Sequence, residues 1–329
     1  VIAWAQSDYP LEINYYEFIN YSKNRFIFPG DSSRFERFFS KMDTIIQRGE
    51  GKLSIVHIGG SHIQADIYSG RTRERLQSFY PGMNGGRGSV FPYKISKTNT
   101  PESYYANYTG DWTSCRNVEY LKNCNRGLSG ITALTNDSSA TIFIKLRNDS
   151  LVDYYFNKIR IFHSMDTCSF VPILDSVKVV DVERNMILGY SVFFLDKEYT
   201  SFELKLSKKN FEEKEFQLYG ISLENEDPGI IYHSIGVNGA SLPSFLRCNL
   251  FENHLKALNP DLVILSLGTN DAYTTKFKPE FYKANYEKMI SKIREVSPQA
   301  AILNTVANDS YLFRRYPNKK YRTGSKSDI

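Results

Sequence analysis

Cysteine is scarce in this 329-residue chain, with four in all, and no two form a C-x-x-C pair. That argues against zinc fingers and ribbons, and no other His, Cys, Asp or Glu set has metal-ligand spacing. Long apolar runs are missing too, so no segment reads as a membrane-spanning helix. Acidic and basic residues are interspersed, with a net charge of only +5. Without a basic stripe to track phosphates, nucleic acid is not an expected partner. Histidine is limited to five residues, which keeps the choice of general bases short. What the chain has in abundance is Tyr and Phe, 23 and 22 of them. These residues favour strands and also make platforms for sugar rings; a β-rich core is the plainer reading.

The first residues, VIAWAQ, include Ala3-Trp4-Ala5 before Gln6, which reads as the small-x-small end of a secretory signal. Residues 1–6 are therefore expected to be a signal remnant and the protein to be exported. Export permits disulfides, and Cys115 and Cys124 could close a small loop.

Periodicity divides the rest into three parts. DSSRFERFFSKMDTIIQRGEG reads as a helix capped by Asp31 or Ser32, with Phe35, Phe38, Phe39, Met42, Ile45 and Ile46 on one face and Gly49 and Gly51 ending it. KLSIVHIGG follows as a buried strand that turns at Gly59-Gly60, and DIYSGRTRERLQSFYP as a helix. From about Phe91 to Glu226 the pattern becomes alternating: ATIFIKL, NKIRIFH, DSVKVVDV, YSVFFLD, TSFELKL and EFQLYGISLE read as strands of an antiparallel sandwich or jelly roll. Beyond DPG the order strand, helix, strand, helix, strand returns, through GIIYHSIGV, SLPSFLRCNLFENHLKAL, DLVILSLG, PEFYKANYEKMISKIREV and AAILNTVAN. The second of these helices should bury Phe281, Tyr286, Met289, Ile290 and Ile293. Such alternation implies a parallel sheet with right-handed crossovers. The expected architecture is one α/β domain, residues 7–90 and 229–329, split by a β domain over 91–228.

Sites in open α/β sheets collect beyond the carboxyl ends of strands. Three such ends carry notable residues: GGS with Ser61, GVNGAS at 236–241, and GTND at 268–271. Each alone is an ordinary turn. Together they suit ester hydrolysis through serine, which needs a nucleophile on a sharp turn and donors aimed at an oxyanion. Ser61 would be the nucleophile. Its own N–H, the N–H of Gly239 and the side-chain amide of Asn270 would be the donors. Gly239 suits that role because a residue without Cβ lets substrate approach its N–H.

Ser61, Gly239 and Asn270 resemble the first three blocks of the SGNH (GDSL-type) hydrolase superfamily. HIGGSHIQAD, the GGRG loop at Gly85 to Gly88 and the β insertion further resemble the bacterial peptidoglycan O-acetylesterases, whose inserted domain is similar to a carbohydrate-binding module. The resemblance covers Lys52 to about Tyr316. It implies a flavodoxin-like three-layer α/β/α fold, a catalytic serine and an acetylated polysaccharide or peptidoglycan substrate, with no cofactor. The chain departs from the family in two places. Gly60 stands where the family has Asp, a change expected to loosen a supporting hydrogen bond. The D-x-x-H block that supplies the base and its orienting acid is missing.

The five histidines do not fill that gap. His57 reads as a satisfied core residue, His163 lies in the insertion, His233 is mid-strand, and His254 sits toward the C-terminal end of its helix. His62 could pair with Asp66 four residues on, as a structural cap or a makeshift base. Two readings stay open: a fragment whose base lies in a missing C-terminal segment, or a protein that has lost catalysis and binds glycan. A lipase or thioesterase on the same fold is a further alternative. Candidate substrate contacts are Arg87 on the GGRG loop, which could project toward the site, Asn308 and Asp309 at the end of the last strand, and Trp112 in the insertion. A monomer is expected.

Overall fold

The computed structural model describes residues 15–148, 151–273 and 277–307, with the backbone of 314–315 and 321–322. Helix α1 (Ser33–Arg48) leads into strand β1 (Lys52–Gly59), the single-turn α2 (Ser61–Gln64) and α3 (Tyr68–Gln77). Eleven strands follow: β2 (Gly88–Val90), β3 (Tyr104–Thr109), β4 (Thr113–Arg116), β5 (Ile131–Thr135), β6 (Thr141–Leu146), β7 (Phe156–His163), β8 (Val171–Asp175), β9 (Val179–Asn185), β10 (Tyr190–Tyr199), β11 (Ser201–Ser207) and β12 (Phe216–Glu224). The chain then runs through β13 (Gly229–Gly236), α4 (Leu242–Leu246), α5 (Phe251–Leu258), β14 (Leu262–Ser266), α6 (Pro279–Val296) and β15 (Ala301–Asn304).

The expected parallel sheet is present, in the order β13-β1-β14-β15. Its strands are apolar on both faces because both are covered. Leu53, Ile55, Ile230, Tyr232, Leu262 and Ile264 share one core with Phe38 and Ile45 of α1. The alternate residues Val56, Ile58, Ile235, Val263 and Leu265 share the other with Phe251 and Leu255 of α5 and Met289 and Ile293 of α6. Successive side chains of a strand point to opposite faces, so one sheet serves two helical layers.

The β insertion forms two antiparallel sheets, β3-β6-β11-β8 and β4-β5-β12-β7-β10-β9, with β2 on β12. Phe156 and Phe202 meet edge to face between them, ring centroids 5.7 Å apart. The second core runs without a break from this unit into the parallel sheet.

Several expectations are corrected. Phe39 and Phe281 are 45% and 65% exposed, while Tyr282 packs in place of Phe281. DSVKVVDV is not one strand: Ser176, at φ +67°, turns the chain from β8 in one sheet to β9 in the other. The helix expected over SLPSFLRCNLFENHLKAL breaks in two, because the Leu250 N–H leaves the helix to donate to Arg126 O. His254 consequently stands mid-helix. β15 ends at Asn304, since its partner β14 is nearly exhausted there. Cys115 and Cys124 are bonded, whereas Cys168 is an exposed thiol and Cys248 a buried one.

Candidate active site

β1 is flanked on both sides, and its last residue sets a common line: Gly59 is in register with Gly236 of β13 and Ser266 of β14. Ser61, Gly239 and Asn270 follow that line by two, three and four residues, so topology brings the three together at one sheet edge.

Ser61 is exposed and opens α2 directly over the strand ends. The helix sits so close that a Cβ on Gly236 would lie 2.1 Å from the Gln64 backbone nitrogen. Gln64 itself is buried and joins three segments. Its Oε1 accepts the Asn238 N–H at 2.7 Å, and its Nε2 donates to Thr98 Oγ1 and Asn99 O, each at 2.9 Å. Next to Asn238, Gly239 has φ +82°, in the region that favours glycine. Its Cβ position is open except for Val118 Cγ1 at 4.0 Å, so backbone conformation is the stronger demand there.

The GTND turn is tied to the same loop twice. Asn270 Nδ2 donates to Ala240 O at 2.8 Å, leaving the second N–H of that amide for another acceptor. The Asp271 carboxylate accepts the Leu242 N–H at 3.0 Å. Burial pushes the Asp271 carboxyl up to about 6, partly offset by backbone N–H bonds that favour its charged form. A Cβ on Gly60 would stand 3.0 Å from Asn270 Nδ2. In this chain Gly60 leaves the amide room, and Ala240 O provides its anchor.

A cleft of about 260 Å³ opens beside His62, lined also by Tyr68, Ser266, Thr269, Thr305 and Val306. Beneath it, His57 is bonded on both ring nitrogens, to Tyr232 Oη and Ser266 Oγ, each at 2.6 Å. Burial lowers its pKa to about 4. It is a satisfied, neutral core residue.

The remaining histidines are placed clearly. His163 and His233 are buried and pushed down to about 4, and His254 to about 3, in each case first by burial. His62 is exposed, but a His62–Asp66 pair is not formed. The Asp66 carboxylate is buried between two arginines: Arg73 Nη2 at 2.8 Å and Arg87 Nη2 at 2.7 Å, with Ser69 and Ser103 completing its shell. Despite its desolvation, these cations hold it well below the ordinary carboxylate range.

Arg87 therefore does not project toward substrate. It is 1% exposed, and its guanidinium is committed to Asp66, Ser103 and the Ser89 carbonyl. Trp112 is half-buried, edge-on to Phe216, with its indole N–H on Thr109 O. It stands at the opposite end of β4 from Val118. Asn308, Asp309 and the signal-like residues 1–6 lie outside the described residues. Gln64 and the Asp66–Arg73–Arg87 cluster were not singled out from the sequence as a support for Ser61. Spacing carried no sign of them, since Gln64 meets partners 34 and 174 residues away.

Comparison with known proteins gives the class first. Residues 218–326 match the GDSL-like Lipase/Acylhydrolase family, the class that the strand-end motifs of Ser61, Gly239 and Asn270 resemble. More particularly, its architecture is similar to that of a solved peptidoglycan O-acetylesterase, at 22% identity over 85% of this chain and 74% of the other, with a TM-score of 0.66. A family two carbohydrate esterase from Cellvibrio japonicus aligns at 10% identity over 62% of this chain and 79% of its own, with a TM-score of 0.22, too low to carry weight. No curated protein sequence matches.

Proposed function

We propose that the protein is a serine esterase that removes O-acetyl groups from peptidoglycan or a related cell-envelope polysaccharide. The observation that carries this reading is the meeting of Ser61, Gly239 and Asn270 at three adjacent strand ends, with Gly59, Gly236 and Ser266 in register beneath them. Ser61 Oγ attacks the ester carbonyl as its proton passes to a general base. The oxyanion is held by the N–H groups of Ser61 and Gly239 and by the free N–H of the Asn270 amide. Collapse of the tetrahedral intermediate expels the sugar hydroxyl, and water then releases acetate from the acyl-serine. Among the described residues no histidine combines exposure with a carboxylate partner.

On this reading residues 7–90 and 229–329 make up a flavodoxin-like hydrolase domain, and residues 91–228 a jelly-roll-like insertion that assists glycan binding. Export and a monomeric state complete the proposal. No described helix is long and apolar enough to cross a membrane.

The test is release of acetate from O-acetylated peptidoglycan by the full-length protein. Ser61→Ala should abolish it, a loss of roughly 10⁴-fold or more. Retained activity in that variant removes Ser61 from its role. Glycan binding with no Ser61-dependent hydrolysis favours the non-catalytic alternative.

A further inference from the structure

The loop between Cys115 and Cys124 is restrained far beyond what a surface connection needs. The disulfide closes it. Inside it lies the guanidinium of Arg126, a residue only 6% exposed, donating to the carbonyls of Arg116, Glu119, Lys122 and Cys124. The Glu119 carboxylate accepts the Arg116 N–H at 2.8 Å and pairs with Lys122 at 3.1 Å. The base of the loop is fastened to the hydrolase unit just behind the candidate site: Arg247 donates to Asn117 O at 2.8 Å, and the Arg126 N–H to Asn249 Oδ1 at 2.8 Å.

This rigid frame holds its tip in water. Tyr120 is 71% and Leu121 85% exposed. Two residues before Tyr120, Val118 Cγ1 lies 4.0 Å from the Gly239 Cβ position. Along the loop runs a groove of about 480 Å³ whose lining includes Ser114, Lys122, Asn123, Asn125, Thr132 and Gln217. Tyr120 and Leu121 directly precede Lys122 of that groove, and an exposed aromatic ring next along the chain to amides and hydroxyls has the chemistry of a sugar-binding surface. The ring stacks on the apolar face of a pyranose, and the polar groups meet its hydroxyls. Ordering the loop beforehand reduces the entropy lost on binding.

We infer that the disulfide-closed loop 115–124 is the glycan-recognition element of this protein, with Tyr120 and Leu121 as its contact tip and the adjoining polar groove as the path of the sugar chain. The inference rests on the esterase reading for the identity of the ligand, and Val118 of the same loop stands beside Gly239.

The experiment compares the wild-type full-length protein with Tyr120→Ala/Leu121→Ser, on purified O-acetylated peptidoglycan and on p-nitrophenyl acetate. The ratio of kcat/KM for polymer to that for the small ester should fall at least tenfold, through KM. An unchanged ratio overturns the inference. Co-sedimentation with peptidoglycan, in a Ser61→Ala background, separates this result from failure of the esterase reading. Loss of sedimentation in the tip variant supports the loop as a glycan site even if neither protein hydrolyses ester. Equal sedimentation, or none by either protein, overturns it.

Discussion

Two short segments meet beside Gly239 and are held in opposite ways. The Ser61 turn is held from within the fold, by glycine contacts with the strand ends, the buried amide of Gln64 and a carboxylate locked between Arg73 and Arg87. The Cys115–Cys124 loop packs Val118 on the core but carries its tip, Tyr120 and Leu121, in solvent, and it is closed by a covalent bond and one arginine wrapped in carbonyls. A segment embedded in the core needs only complementary packing and paired charges to stay in place. A loop tip in solvent has little core to lean on, so cross-links within the loop supply much of its order.

Breaking the buried charge cluster should have the largest effect on stability. Asp66→Asn leaves two arginines buried without their anion, which costs about 3–5 kcal/mol in the usual range. Urea unfolding should show it as a lower midpoint at unchanged slope. An unaltered midpoint would mean the cluster does not brace the Ser61 turn. Opening the disulfide with Cys115→Ala/Cys124→Ala should cost less, about 2–3 kcal/mol for a loop with a sequence separation of 9. That variant should also lose polymer hydrolysis more than small-ester hydrolysis, whereas Asp66→Asn should lower both alike.

Acid sharpens the contrast further, because the loop holds no histidine while His57 bonds Ser266, which lines the cleft beside His62. Burial depresses His57, His163 and His233 to about 4 and His254 to about 3, all from 6.5. A group depressed in this way leaves stability intact above pH 6.5. That stability is lost as pH falls toward 4, because the unfolded chain takes up the protons first. Asp271 works in the other direction. Raised to about 6 from 3.8, its contribution is full below 3.8 and lost as pH rises through 6. With four histidines against one aspartate, thermal stability should be lower at pH 4.5 than at pH 7.5, and a flat profile would contradict the burial of these imidazoles.

Much of the fold was legible because its signals are local. The alternation of helix and strand implied the parallel sheet, and period-two runs such as TSFELKL and NKIRIFH matched β11 and β7. Three strand-end motifs, read in order, placed Ser61, Gly239 and Asn270 on one edge. Errors arose where a distant partner overrode the local pattern. Arg126 O drew Leu250 out of the helix expected over 241–258. Arg87 looked like a projecting side chain between glycines, but Asp66, 21 residues earlier, holds it inside.

The sequence alone determined the class of the molecule, since a parallel sheet buried on both faces and a set of glycine-rich strand ends are written in residue type and spacing. Only the tertiary structure decided which polar residues brace the site and which face water. Asp66 is next to an inviting histidine in the chain and yet bonds to Arg73 and Arg87. The physical reason is that a carboxylate taken out of water needs cations at hydrogen-bond distance, and which cations arrive there is set by how the elements pack.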